Sequence, residues 1–173
     1  MANDFYRQLG IGVSSLTFGV ALSIFIYAAA SGFVGSLTAG LLFATSFLLM
    51  LRFWWRYNEL FVQQMPSKNF WHFVFDFLIS FFGILAVLSV GDMQKWAMLG
   101  ALAMLSSIVR CAMSWKGAGV AKQKLIKTLY GAVSMLIIMG AVYVTTPLYD
   151  QLYISAAIFV VTLVFVVYSA ARP

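Results

Sequence analysis

A chain of 173 residues that is 63% hydrophobic and only 9% charged is excluded from the soluble domains, where charged residues run at about 25%. Its net charge of +6 does not mark a nucleic-acid surface. The basic residues flank apolar runs, where Lys and Arg anchor helix ends to anionic lipid headgroups. A single cysteine, Cys111, excludes an intrachain disulfide and a Cys-rich metal site; lying in an apolar segment, it reads as a small buried hydrophobe.

Crossing ~30 Å of hydrocarbon takes ~20 apolar residues per helix. Six segments have that length: 10–30, 34–55, 69–90, 95–115, 127–146 and 150–171. The first is preceded by Arg7 and ends in Ala28-Ala29-Ala30-Ser31, which imitates a signal peptide and its cleavage site. Its apolar run, residues 9–30, exceeds the about 7–15 residues of a usual signal core, so the segment is read as a retained helix. It carries Ser15, Gly19 and Ser23 at four-residue spacing, a face of small side chains that lets helices approach closely in lipid. Packing within the molecule is the ordinary use of such a face.

After a short connection over 31–33, the second segment carries Gly40-xxx-Ala44 and a polar stripe of Thr38, Thr45, Arg52, Arg56 and Glu59. A connection over 56–68 leads to the third, where His72, Asp76, Ser80 and Gly83 share one face by helical periodicity. A tight turn over 91–94 leads to the fourth, with Ala103-xxx-Ser107-xxx-Cys111 as a second small-residue seam and Arg110 on the same side. Residues 117–127 read as a flexible Gly-Ala-Gly break followed by a short basic amphipathic stretch on the inner membrane surface. The fifth and sixth segments are joined over 147–149. The expected fold is an all-α, six-helix transmembrane bundle of three antiparallel hairpins, forming one domain over 1–173.

Orientation follows from charge. Arg7, Arg52, Arg56, Lys68, Arg110, Lys116, Lys122, Lys124, Lys127 and Arg172 fall on one side of this topology, and only Lys95 on the other. Positive charge resists translocation, which places both termini in the cytoplasm, in a prokaryotic inner membrane. Aromatic residues divide in the same way. Trp54, Trp55, Trp71 and Trp115 stand at inner boundaries, and Trp96, Tyr27, Tyr143, Tyr149 and Tyr153 at outer ones, the headgroup level that indole and phenol rings prefer.

A charge at mid-membrane costs about 2.5–3.5 kcal/mol on insertion scales, so Arg52, His72, Asp76 and Arg110 each need a partner, water or the interface. At about 1.5 Å per residue, Asp76 stands ~10 Å past Asn69 and Arg110 ~8 Å before Trp115. The third and fourth helices are antiparallel, so the two are at matching depth and an Asp76–Arg110 ion pair is expected, with Arg52 as a competing partner. The cluster reads either as a structural fastener between helices or as a polar ion or proton path with His72 at its mouth. His72 and Asp76 have metal-ligand spacing, but two ligands are too few for a site, and neither a metal nor a cofactor is expected. Signatures of intramembrane proteases, haem ligation and phosphate-cradling loops are missing, so no enzyme is expected.

The run Ser46-Phe47-Leu48-Leu49-Met50-Leu51-Arg52-Phe53-Trp54-Trp55-Arg56-Tyr57-Asn58-Glu59-Leu60-Phe61 resembles the end of the second helix of the six-helix endolysosomal and prokaryotic potassium channels. It has their Ser-Phe-Leu start, central Trp and Leu-Phe end at similar spacing. The resemblance implies six helices with both ends cytoplasmic. It does not extend to potassium selectivity, because Val13-Ser14-Ser15 stands where that family has Phe-Ser-Asp. Two functions are expected from these readings. One is a subunit of an oligomeric channel or small transporter, with the Ser/Gly face of the first helix lining a shared axis. The other is a non-catalytic structural or assembly subunit of a larger membrane complex. In either case the partners are anionic lipid headgroups and other membrane chains, copies of itself included.

Overall fold

The computed structural model describes residues 2–31, 34–65 and 69–171. Among them the chain forms six α-helices and no strand: α1 (Ala2–Ala30), α2 (Leu37–Tyr57), α3 (Phe70–Leu88), α4 (Met93–Ser114), α5 (Lys122–Thr145) and α6 (Gln151–Ala171). A π-helical turn, Asn58–Gln64, continues α2. Lys68, Arg172, residues 32–33 of the first connection, and the side chains of Arg7, Val13 and Ser14 lie outside the described residues.

Five stretches are long and apolar enough to cross a membrane: Leu37–Gln64, Phe70–Leu88, Met93–Gly117, Gly119–Thr145 and Gln151–Tyr168. In α1 the described apolar stretch is the shorter Phe18–Ala30. These lengths and compositions are those of a multi-pass membrane protein. Outward faces agree: Phe77 and Phe81 on α3 and Val160, Val161, Val164 and Val167 on α6 are exposed, the pattern of helices whose solvent is lipid.

Helix starts are set by short polar side chains that accept from backbone N–H groups left open in the first turn. Ser36 accepts from Ala39, Asn69 from His72 and Asp92 from Lys95, at 3.0–3.1 Å. Asp150 does the same for Leu152 at 2.8 Å. Near hydrocarbon these contacts matter more than in water, because an open backbone group there has no water partner.

The backbones approach most closely between α3 and α4, α4 and α5, α2 and α6, and α1 and α3. Of the three expected hairpins, only α3–α4 is therefore a close pair. The other two meet through aromatic rings. Phe18 stacks on Trp54 at 4.4 Å and Phe25 meets Phe43 at 4.7 Å between α1 and α2, while Phe165 of α6 lies over Gly131 of α5. Large rings hold helix axes apart, whereas glycine lets them close. At Gly100 the notch admits Met139, whose sulfur would be 3.1 Å from any Cβ added there.

One core cluster joins Leu42, Val90, Met93, Trp96, Ala97 and Met139 near one end of the bundle. A second joins Tyr57, Leu60, Phe61, Met65, Cys111 and Leu125 at the end where the basic residues gather, hereafter the basic end. Trp55, Trp71 and Trp115 are exposed at the basic end, and Tyr27, Tyr143, Tyr149 and Tyr153 at the other, as interfacial girdles require. Trp96 departs from that expectation. It is 1% exposed and its indole N–H donates to Ser46 Oγ at 2.8 Å, so it is a core residue and not a lipid-facing anchor.

Two connections also differ from expectation. The helical winding of α2 runs on through Gln64 as a π turn, with the Asn58 side-chain amide donating to the Trp54 carbonyl at 2.9 Å. The basic stretch after Gly117 is not a separate surface element. Two 3-10 turns, Trp115–Gly117 and Gly119–Ala121, lead into α5, which begins at Lys122. Gly119 supplies the positive φ of 43° that this corner requires, and Ala118, Ala121 and Leu125 bury against the second core.

Candidate functional site: an ion pair inside the bundle

On α3, which Asn69 caps, His72 and Asp76 both turn inward and are buried. On α4 the same inward face carries Ala103, Ser107 and Arg110. Asp76 is 1% and Arg110 0% exposed, and Arg110 Nε donates to Asp76 Oδ1 at 2.8 Å. The guanidinium has further partners. Nη1 donates to Ser114 Oγ and Nη2 to the Met65 carbonyl, the latter at 3.4 Å. The group lies 4.4 Å from the centroid of the Phe61 ring, within cation–π range. Tyr57 lies within electrostatic reach of Asp76. Every nitrogen of the guanidinium therefore meets an acceptor, and the pair ties α2 and its π turn to α3 and α4.

The π turn makes this possible. By widening the helix after Tyr57 it buries Leu60 and Phe61 and lets the Met65 N–H close on the Leu60 carbonyl at 2.7 Å. The Met65 carbonyl is left facing Arg110. Such turns recur at sites where a helix must present backbone or side chains out of register.

A second, half-exposed network lies nearby. Glu59 accepts from Arg56 at 2.8 Å and from Lys124 at 2.6 Å, joining the π turn to the first turn of α5. Lysine at a helix N-terminus opposes the helix dipole, and Glu59 offsets that for Lys124. Arg52 is half-buried on α2, in the field of Arg56 and Glu59. His72 sits one turn before Asp76 on the same face of α3. Among the described residues no group of three His, Cys, Asp or Glu side chains could hold a metal ion.

The small-residue seams divide. Ala103 and Ser107 are buried. Ser15, Gly19 and Ser23 are exposed, a Cβ added at Gly19 would meet nothing, and the Ser23 hydroxyl turns back to the Gly19 carbonyl at 2.9 Å. This corrects the expectation of intramolecular packing. Helix α1 buries the adjoining face instead, Ala21, Phe25 and Ala28. The Ser/Gly face borders an open groove of about 700 Å³ with Val87 and Leu88 of α3.

Sequence reasoning missed Tyr57, Phe61, Ser114 and Met65. Ser114 was accessible as the residue one turn after Arg110. The Met65 carbonyl was not, since a backbone acceptor leaves no mark in a sequence. Comparison with family models, with curated proteins and with solved structures finds no match.

Proposed function

We propose that the protein is a non-catalytic structural or assembly subunit of a membrane complex, with six spans and both termini on the cytoplasmic side. The observation that carries this reading is the enclosed Asp76–Arg110 pair. A permeation or proton path needs its charges in contact with water or with a mobile ion. Here both groups are shut in by Tyr57, Phe61, Met65 and Ser114, as in a fastener that fixes how three helices pack. Buried pairs of this kind specify an arrangement while adding little net stability.

A second reading, an oligomeric channel or small transporter, is favoured by the outward Ser15–Gly19–Ser23 face of α1. Close approach of such faces from several copies would build a polar axis between chains. Purification in mild detergent, followed by mass measurement of the intact complex and ion flux in liposomes, separates the two. The subunit reading expects association with other polypeptides and silence in flux. A homo-oligomer whose current changes with Asp76→Asn sinks it in favour of the channel.

A further inference from the structure

Among the described side chains every carboxylate is engaged. Glu59 holds Arg56 and Lys124, Asp76 holds Arg110, and Asp92 and Asp150 accept from backbone N–H groups at the opposite end of the bundle. Lys116, Lys122 and Lys127 are left at the basic end without a carboxylate, and all three are exposed. Two of them stand on the corner between α4 and α5, where Lys122 Nζ lies 5.3 Å from the centroid of the Trp115 ring, within cation–π range. That ring, next to Lys116 in the chain, is itself exposed. Lys122 opens α5, where positive charge opposes the helix dipole. Unlike Lys124, it has no Glu59 to offset this.

The surroundings of these lysines decide which anion fits. On α5, Gln123, Lys127, Tyr130, Ser134 and Ile137 are all exposed, and their three- and four-residue spacing puts them on one outward face. Along it a lysine is followed by a phenol ring and then by an aliphatic side chain. That is the order of headgroup, interface and hydrocarbon on a helix whose solvent is lipid. Val120, on the corner itself, is also fully exposed. An indole and an apolar side chain beside ammonium groups suit a surface that offers phosphate and hydrocarbon together. A soluble polyanion would meet the charges and leave Trp115, Val120 and Tyr130 in water.

We propose that the α4–α5 corner binds the headgroup of an anionic phospholipid, with Lys116 and Lys122 donating to its phosphate and Lys127 adding charge from the lipid-facing side of α5. Arg56, Arg110 and Lys124, committed to carboxylates, take no part. The assignment holds for a subunit and for a channel alike, since neither reading uses this corner. To test it, the full-length chain in mild uncharged detergent is mixed with phosphatidylglycerol or with phosphatidylcholine, and bound lipid is counted by mass measurement of the intact protein. Preference for phosphatidylglycerol is expected. Lys116→Gln combined with Lys122→Gln should weaken its binding by more than about tenfold, since each lysine near a lipid surface is worth roughly fivefold. Arg at both positions should keep the binding, and Lys95→Gln at the other end should leave it unchanged. Where the double Gln variant does not fold by circular dichroism and size-exclusion elution, Lys122→Gln alone makes the comparison, with a loss of roughly fivefold. Equal binding of the two lipids, binding that persists in the folded Gln variant, or an equal loss in Lys95→Gln overturns the proposal. Displacement of the lipid by glycerol phosphate at comparable concentration also overturns it, because the site would then be one for a free phosphate.

Discussion

At the scale of single residues, Arg110 draws partners from the end of the π turn, α3 and α4. The energetic consequence is asymmetric. An intact buried pair roughly balances desolvation against attraction, whereas removing one partner leaves a charge in a low-dielectric interior and costs about 3–5 kcal/mol. Asp76→Asn and Arg110→Gln, each alone, should therefore lower the unfolding midpoint in detergent sharply. The double variant should recover most of the loss, since Asn and Gln can still hydrogen-bond while neither carries a charge. Additive losses in the double variant would show that the two residues act separately. The pair itself was readable from the chain, because depth in a membrane follows from counting residues along antiparallel helices. Its enclosure was not, since Phe61 reaches Arg110 only once the helix widens after Tyr57.

At the scale of helices, packing is decided by where backbones can close. Gly100 and Gly19 look alike in sequence, both glycines within apolar helices. In the structure Gly100 receives Met139, while Gly19 is exposed and a Cβ added there would meet nothing. Gly100→Val should cost about 1–3 kcal/mol through overpacking, read as a lower unfolding midpoint, and Met139→Ala in the same chain should return part of it. Gly19→Ala should leave the monomer's unfolding unchanged or raise it slightly, as glycine in a helix is worse than alanine by about 0.5–1 kcal/mol. Equal losses at both positions would mean that α1 packs on its Ser/Gly face after all. Spacing alone finds a face of small residues without saying what meets it. In the structure Phe25 of α1 is buried and the Ser15–Gly19–Ser23 face is exposed.

At the scale of the whole molecule, the two ends differ. The basic end is held by ion pairs and the Tyr57–Leu125 core, the other end by apolar packing around Trp96. If the positive-inside rule governs this chain, its basic end is expected to face the cytoplasm. The prediction can be checked with cysteines at Tyr149 and Lys116, both exposed and on opposite ends, in a chain whose own Cys111 is buried. A membrane-impermeant maleimide added to intact cells should label Tyr149→Cys and spare Lys116→Cys until the cells are lysed. The reverse pattern would invert the topology.

By itself the sequence determined the apolar, all-helical class and the meeting of Asp76 with Arg110; of the six spans it suggested, five are long and apolar enough among the described residues. Hydrophobic length, charge and periodicity are local properties that survive without knowledge of neighbours. The tertiary structure alone decided that Trp96 is core, that the Ser15–Gly19–Ser23 face is outward, and that α2 continues through a π turn to Gln64. Each depends on the volumes of side chains from helices distant in the chain, a property of no single segment.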